Sequence, residues 1–300
     1  MRILIIGPSW VGDSVMAQTL YKCLKTEAPT CQLDVFSPTW SLPILNRMPE
    51  VSNSLESPFS HGDIKPIARY RKSREIKNKD YDRAILLTNS FKSSLIPFFA
   101  KIPIRTGWLG EMRYGLLNDI RKIDKNYPYL MIEKFAALSI ASSNIKSKDL
   151  PLPALEVDNN NQMIKINHFD IDYDRPSLAI CPGAEFGPSK KWPAEYFSVV
   201  ASNYLDKGWN VICFGSPNDE DTGRQIIKDR DLSKSHYFHN LIGKTNLLDV
   251  IDLLSFCKSA VTNDSGLMHV TAAVGTPLVA VYGPSSPEYT PPLIARKTIL

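Results

Sequence analysis

The feature that most constrains this chain is an alternation of apolar, strand-like runs with amphipathic segments, which starts at its first residues. Residues 2–6 form a run of strand length that is apolar from Ile3 onwards, residues 7–12 contain two glycines, and residues 13–25 carry apolar side chains at helical spacing. A second strand-like run follows at 32–36. Because strands joined through a helix pair in parallel by a right-handed crossover, the sequence predicts an α/β protein built on a parallel sheet.

The same alternation occurs a second time, and two domains are expected for 300 residues. A strand at 83–87 continues the first series, and a second series begins at residue 178. Between them, residues 151–176 are rich in Asn, Asp and Pro, which is typical of a linker. We predict an N-terminal domain over 1–168 and a C-terminal domain over 169–300. Ligands of doubly wound sheets bind beyond the carboxyl ends of the strands, so the loops after the strands are the candidate sites.

Composition excludes several classes of protein. The formal net charge of +4 is too small to indicate nucleic-acid binding without a concentrated basic patch. The five cysteines contain no C-x-x-C pair and lie mostly in apolar segments, which indicates reduced core thiols of a cytosolic protein. The N-terminus has no secretory signal, and no window approaches the ~18 apolar residues of a spanning helix. We therefore expect a cytoplasmic protein whose membrane contact is peripheral.

The loop after the first strand, residues 7–13, is the first candidate site. Its glycines permit a tight turn, and backbone amides at the start of the next helix can face an anion or a sugar. The loop lacks the G-x-G-x-x-G pattern, and the second strand ends without the carboxylate that binds a dinucleotide ribose. Both features count against an oxidoreductase that uses NAD. Asp13 is either a helix cap or a functional carboxylate, and the residues alone favour the cap.

The loop after the predicted strand 178–181 is the second candidate site. Residues 182–193 contain two glycines, Lys190 and Lys191, and end in a proline that suits the first turn of a helix. Loop amides could surround a diphosphate while a lysine neutralises the charge of a leaving group. A surface loop with solvated lysines is the alternative, and composition alone favours it.

Residues 262–269 form the third candidate site, where a strand becomes a helix. Amides at the helix start and the hydroxyl of Ser265 can donate to a phosphate, and Asp264 can accept from sugar hydroxyls. Gly266 opens the predicted helix, and His269 lies one turn inside it. The alternative is an N-cap with a core histidine. Because this loop lies at a strand end of the same half as the previous loop, we favour function.

Charged segments elsewhere allow other interpretations. Three D-x-D tripeptides, at 170–172, 172–174 and 219–221, could hold a divalent ion, but their polar surroundings favour solvated surface positions. Between residues 65 and 83, eight residues are basic and three are acidic, and the apolar run 97–100 follows. This combination could contact an anionic membrane or a phosphorylated acceptor. For the charge run alone, a solvated helix face is the favoured alternative.

Together the motifs resemble those of the ADP-heptose:lipopolysaccharide heptosyltransferases over nearly the whole chain. They comprise Gly12-Asp13, Pro182-Gly183-Ala184 with Lys190-Lys191-Trp192-Pro193, and residues 263–269 with Ala272-Ala273 and Gly275-Thr276-Pro277. Residues 107–118 resemble the type that adds the second heptose. The resemblance implies an α/β, GT-B fold: two Rossmann-like doubly wound domains facing a central cleft. It also implies inversion at the anomeric carbon, with ADP-heptose held mainly by the C-terminal half and a lipid A-Kdo-heptose acceptor by the N-terminal half.

The resemblance further implies roles for single residues. Asp13 matches the general base and Lys190 the lysine on the donor phosphates, so these two are the expected catalytic residues. Arg105 and Arg113 are expected to bind the acceptor. The expected donor-binding residues are Gly12, Gly183, Ala184, Lys190, Asp264, Ser265, Gly266 and His269. No metal or other cofactor is expected, because cationic groups already face the leaving group. The expected partners are the two substrates and the anionic inner membrane surface, without nucleic acid.

Three alternatives remain open at this stage. The chain could add the first heptose to Kdo, it could bind a nucleotide sugar without catalysis, or it could be a nucleotide-dependent oxidoreductase. A non-catalytic binding protein would keep the loops of Lys190 and Asp264 without needing Asp13. Members of the family continue past residue 284 through a further strand and helices, whereas residues 297–300 read as a strand just starting. We therefore expect the C-terminal domain to be truncated in this sequence.

Overall fold

The computed structural model describes residues 1–59, 62–124, 129–139, 149–185, 187–295 and 297–300. The chain divides into two compact units, Met1–Pro153 and Ala154–Leu300. The first unit contains β1 (Arg2–Ile6), α1 (Val11–Glu27), β2 (Gln32–Pro38), α2 (Leu42–Leu45), β3 (Asn53–Ser57), α3 (Pro66–Lys77), β4 (Arg83–Leu86), α4 (Phe91–Phe99), β5 (Ile104–Trp108), β6 (Asp119–Arg121) and α5 (Met131–Ala136). The second unit contains α6 (Asn159–His168), β7 (Ser177–Cys181), α7 (Ala194–Asp206), β8 (Asn210–Cys213), α8 (Glu220–Asp229), β9 (Phe238–Asn240), α9 (Leu247–Phe256), β10 (Ser259–Asn263), α10 (Gly266–Ala273), β11 (Leu278–Val281) and β12 (Lys297–Ile299).

Each unit is built on a parallel sheet of six described strands, and the two sheets have the same topology. Their strand orders are β3-β2-β1-β4-β5-β6 and β12-β11-β10-β7-β8-β9. In each sheet the chain starts in the middle, adds two strands outward on one side, and then returns to the middle for the other three. The strand order therefore reverses between β1 and β4 in one unit and between β7 and β10 in the other. Ligands of doubly wound sheets bind at such switch points.

Burial explains why the central strands form. On β1, Ile3, Leu4 and Ile5 are fully buried, so both faces of the strand are covered, as in other parallel sheets. In the second sheet, Ala179 of β7 pairs with Ala260 of β10, and both are buried. The predicted doubly wound α/β class is confirmed for both units.

The predicted linker is wrong in one respect, because it contains a helix. Asp158 caps α6 by accepting from the amides of Asn160 and Asn161 at 3.0 and 3.1 Å. The Asn161 side chain donates to the buried carboxylate of Asp252 on α9 at 2.8 Å. Helix α6 is thus part of the second unit, and the division falls after Pro153, whereas the sequence placed it after residue 168.

All five cysteines are buried and unpaired, as the sequence predicted for core thiols. Burial raises the pKa of the Cys181 thiol to about 12, so this thiol is not a nucleophile at neutral pH. Within the described part of the chain, no helix has both the length and the apolarity to cross a membrane.

Candidate active site

The first unit contains a cavity of about 400 Å³ at the switch point of its sheet. The loop after β1, the loop after β4 and helix α5 provide about half of its lining residues. Its polar lining residues include Ser9, Asp13, Thr88, Asn89, Ser90, Lys92 and Lys134. Carboxylate, amide, hydroxyl and ammonium groups on one concave surface suit a polar ligand with anionic substituents.

Asp13 lines this cavity from the first turn of helix α1 and does not occupy the N-cap position of that helix. Helix α1 begins at Val11 with Trp10 in the N-cap position, so Asp13 is the third helical residue, and Gly12 is the second. Asp13 is half-buried. Asp13 therefore does not occupy the N-cap position, and its charge lies in the first turn, where the helix dipole favours an anion.

The loop between β1 and α1, which leads to Asp13, is held against the neighbouring strand β2. A Cβ atom at Gly7 would lie 2.1 Å from the hydroxyl oxygen of Ser37 and 3.2 Å from the Cγ1 atom of Val35, so a larger residue here would force these side chains to move. The indole NH of Trp40 donates to the carbonyl of Ser9 at 2.7 Å. These contacts fix the path of the chain into α1 and with it the position of Asp13.

Two lysines of the cavity were missed by the sequence interpretation. Lys92 lies in the first turn of α4, directly after the loop that follows β4, and Lys134 lies on α5. Burial lowers the pKa of Lys134. The strand-end rule that selected the loop of Asp13 would also have selected Lys92, whereas nothing in the local sequence indicates Lys134.

The two arginines predicted to bind the acceptor donate hydrogen bonds to other groups of the first unit. Arg113 is fully buried, and its guanidinium donates to the carbonyls of Thr88, Gly110 and Trp108 and to the side chain of Asn89. It thereby braces the loop after β4 that lines the cavity. Its role is to position that loop.

Arg105 is engaged in the same way. Its guanidinium donates to the carbonyls of Leu116 and Ile102, both at 2.6 Å, and lies over the ring of Phe98. Arg105 does not line the cavity. Both guanidinium groups thus have structural partners, and neither Arg105 nor Arg113 is among the residues that line the cavity.

In the second unit, three loops at the carboxyl ends of adjacent strands converge on one carboxylate. Asp264, after β10, accepts from the ammonium of Lys190 at 2.6 Å, and Lys190 comes from the loop after β7. Ser285, after β11, donates its hydroxyl to the same oxygen at 2.5 Å. Asp264 is buried, whereas 22% of the Lys190 side chain is exposed. The structure thus brings together two residues that the sequence predicted separately, and it adds Ser285.

Asn263 fixes the geometry of this cluster. Its fully buried side chain donates to the carbonyl of Pro182 at 2.6 Å and accepts from the amide of Trp192 at 3.0 Å. Both partners belong to the loop of Lys190, so one amide clamps both ends of that loop. The sequence interpretation quoted Asn263 only as part of a motif, because a side chain that bonds backbone leaves no pattern of its own.

A second ion pair, between Lys191 and Asp219, stabilises the same loop. Lys191 pairs with Asp219 at 2.8 Å, and Asp219 also accepts from the amide and hydroxyl of Ser216. Asp219 is buried, so the predicted solvated position for the third D-x-D tripeptide is wrong for this residue. Gly183 lies against the same carboxylate, and Ala184 beside it is buried. Phe186, in the middle of this loop, lies outside the described residues.

Helix α10 starts beside the Lys190–Asp264 pair. Ser265 occupies the N-cap position in an extended conformation, and the first helical residue is Gly266. The unpaired amides of this first turn provide partial positive charge next to Lys190. His269, one turn further, is buried, and burial lowers its pKa to about 4, so its imidazole is neutral at pH 7.

Two doubly wound units, each with its polar cluster at the switch point of its sheet, define an α/β protein with two Rossmann-like domains, the architecture of the GT-B fold. Comparison with known proteins refines that class. The family model of glycosyltransferase family 9 (heptosyltransferase) matches residues 69–300, which is more than half of the chain.

Full-length relatives agree. The chain is 46% identical over 305 residues to lipopolysaccharide heptosyltransferase 2 of Salmonella typhimurium, covering 100% of this chain and 88% of that protein. It is 46% identical over 307 residues to lipooligosaccharide heptosyltransferase 2 of Haemophilus influenzae, with the same coverage. The solved structure of Escherichia coli ADP-heptose lps heptosyltransferase II matches with a TM-score of 0.92 and 44% identity, over 100% of this chain and 90% of that one. The chain belongs to glycosyltransferase family 9, which confirms the family predicted from its motifs.

Proposed function

We propose that this glycosyltransferase transfers heptose from ADP-heptose to the lipopolysaccharide inner core and adds the second heptose to the first. The observation that carries the proposal is the Lys190–Asp264 pair at the switch point of the second sheet, next to the start of α10. It combines a cation for a diphosphate with a carboxylate for sugar hydroxyls. The relatives' names support the substrates, since they specify heptosyltransferase 2 and, for the solved structure, ADP-heptose.

For the donor, the proposed site is the cluster in the second unit. The diphosphate of ADP-heptose competes with Asp264 for Lys190, and it also accepts from Ser265 and from the amides at the start of α10. When Lys190 turns to the phosphates, Asp264 can accept hydrogen bonds from heptose hydroxyls. The ion pair holds the ammonium and the carboxylate side by side, at the positions where the diphosphate and the sugar of the donor are proposed to bind.

For the acceptor, the proposed site is the cavity in the first unit. Lys92 and Lys134 provide positive charge for anionic groups of the inner core, and Asp13 lines the same cavity. This placement replaces Arg105 and Arg113 as the proposed acceptor ligands. The carboxylate of Asp13 is the proposed general base.

The proposed reaction is a single displacement. A hydroxyl oxygen of the acceptor heptose attacks the anomeric carbon of the donor while the bond from that carbon to the diphosphate oxygen breaks. The bonding electrons leave with ADP, and the hydroxyl proton passes to Asp13. Lys190 and the helix amides stabilise the negative charge that develops on ADP. Attack from the face opposite the leaving group inverts the anomeric carbon.

We further propose that no metal ion is needed and that the enzyme works in the cytoplasm as a peripheral protein of the inner membrane. Within the described ranges, no three His, Cys, Asp or Glu side chains cluster in a way that could hold a metal. Lys190 and the first turn of α10 support metal independence, because they already supply the positive charge that a metal ion would contribute.

A transfer assay with two acceptors tests the proposal. Purified protein is mixed with ADP-heptose and either lipid A-Kdo or lipid A-Kdo-heptose, and the products are resolved by mass. We expect one heptose to be added to the heptose-bearing acceptor and none to lipid A-Kdo. Transfer to lipid A-Kdo would assign the first-heptose activity instead. Binding of ADP-heptose without transfer to either acceptor would support a non-catalytic binding protein.

A further inference from the structure

The first unit exposes a surface that combines aromatic and basic side chains on two packed helices. Helix α3 buries one face, through Arg69, Ser73 and Ile76, and turns the opposite face outward. We define the α3–α4 surface as the outer face of α3 with the C-terminal end of α4: Ile67, Tyr70, Arg71, Arg74, Phe98, Phe99 and Lys101. On α3, its members recur at the spacing of one helix face.

Three rings of this surface contact one another, and three of its four apolar or aromatic side chains are exposed to solvent. The rings of Tyr70 and Phe99 meet edge to face at 5.5 Å, and those of Phe98 and Phe99 meet at 5.6 Å. Ile67 is 69% exposed, Tyr70 47% and Phe98 38%. Contiguous exposed apolar side chains on a soluble unit indicate a contact with a partner or a membrane.

The charge of this surface selects the partner. Arg71, Arg74 and Lys101 are exposed. The acidic residue of α3, Glu75, pairs with Lys72 at 2.7 Å, which leaves the outer face positive. Aromatic and aliphatic groups surrounded by arginine and lysine match the headgroup region of an anionic bilayer, where rings lie at the interface and cations lie on lipid phosphates.

We propose that the α3–α4 surface docks the enzyme on an anionic phospholipid bilayer. The inference rests on the proposed function, which requires an acceptor anchored in a membrane by lipid A. The same helix links the two sites: Arg69 on the inner face of α3 lines the acceptor cavity, while Ile67 and Tyr70 lie on the outer face. Docking through the outer face therefore holds the cavity beside the membrane that carries the acceptor.

Vesicle co-sedimentation of the full chain tests this surface. The probes are phosphatidylglycerol–phosphatidylethanolamine vesicles and neutral phosphatidylcholine vesicles. One double variant, R71E/R74E, reverses two charges, and another, Y70S/F98S, removes two rings. The charge-matched control is K228E/R230E, on exposed residues of α8 and its end in the second unit. The apolar control is M163S/I164S on α6, where the side chains are 41% and 62% exposed.

We expect the wild type and both controls to bind the anionic vesicles and not the neutral ones. Each α3–α4 variant should lose at least about tenfold in partitioning, because each arginine near an anionic surface, like each inserted ring, contributes to binding. Unchanged melting temperature and unchanged heptose transfer to a delipidated acceptor show that the variants fold and that the chemistry is intact. If the wild type binds anionic vesicles but transfers no heptose, the proposed function is contradicted, whereas the membrane-docking role of the α3–α4 surface is not.

Two results would overturn the proposal. One is equal vesicle binding by R71E/R74E and the wild type, or an equal loss in K228E/R230E, since binding would then follow net charge rather than this surface. The other is a concentration-dependent dimer in light scattering that Y70S/F98S abolishes while vesicle binding is unaffected. In that case the surface is an interface between copies of the chain.

Discussion

The ammonium of Lys190 lies 2.6 Å from the carboxylate of Asp264, although 74 positions separate the two residues in sequence. In the proposed donor site, a phosphate that binds Lys190 therefore competes with Asp264 for the same ammonium group. This competition makes the two residues respond differently to substitution.

Lys190→Ala is expected to weaken ADP binding by about 10- to 100-fold, because it removes a charge-assisted contact to phosphate. Asp264→Asn, which removes the competing carboxylate, is expected to leave ADP affinity equal or higher while transfer of heptose falls. Titration calorimetry with ADP and an assay of transfer separate the two effects. The control is Lys228→Ala on the exposed side of α8. An unchanged affinity for ADP in Lys190→Ala would remove Lys190 from the site.

Asp13→Asn is expected to abolish most of the turnover with little effect on stability. The amide cannot accept a proton, and general-base assistance contributes about 10²–10⁴-fold. Asp13 lies in the first turn of α1 and not at its N-cap position, and the interaction of its charge with the helix dipole contributes at most about 1 kcal/mol. We expect kcat to fall at least about 100-fold, a melting temperature within a few degrees of the wild type, and unchanged ADP-heptose affinity. A kcat near that of the wild type would place the base elsewhere.

Transfer is expected to survive chelation. Lys190 and the amides of α10 provide the positive charge that the departing ADP needs, so EDTA should change the rate by less than about twofold. The measurement is the initial rate after dialysis against EDTA, with and without added magnesium or manganese. Loss of the rate with EDTA and its recovery with either metal would contradict metal independence.

Gly183→Ala is expected to disturb the loop of Lys190 by a purely steric effect. A Cβ atom there would lie 2.5 Å from the Oδ2 atom of Asp219 and 2.9 Å from its Cγ atom, and that carboxylate is held by Lys191. Overpacking of this kind costs about 1–3 kcal/mol. We expect lower stability in denaturant titration together with weaker ADP binding.

Gly110→Ala is the matched control for this change, since its Cβ atom would meet its nearest neighbour at 3.6 Å, an ordinary contact. The control should keep both the stability and the ADP affinity of the wild type. Equal behaviour of the two alanine variants would show that the loop of Gly183 can move away from Asp219 without loss.

His269 is expected to make stability depend on pH. Burial lowers its pKa to about 4 in the folded protein, whereas the unfolded chain titrates near 6.5. Between these values the unfolded state binds more protons, so stability falls as the pH falls from 7 towards 4, by about 2 kcal/mol at pH 5 from this group. Denaturant titrations at pH 7 and pH 5 should show a smaller loss in His269→Gln than in the wild type. Identical losses would exclude His269 as the responsible group.

The sequence by itself determined the class of fold and the loops that matter. Alternating strand and helix patterns determine a parallel sheet, because strands joined through crossover helices pair in parallel and those helices cover the apolar faces of the sheet. Glycines after the first strand and after β7, together with Asp264 and Gly266 after β10, then marked the strand ends. Local pattern sufficed here because each motif lies within one strand-to-helix turn.

Only the tertiary structure decided which side chains meet and which are buried. The pairs Lys190–Asp264 and Lys191–Asp219 form because β7 lies between β10 and β8 in the sheet, and strand order is not a local property. Burial likewise changed the interpretation of Asp219 from a solvated residue to a support of the loop. The tertiary structure also showed that Arg113 stabilises the loop beside the cavity, because its guanidinium donates to the carbonyls of Thr88 and Trp108, which come together only in the folded unit.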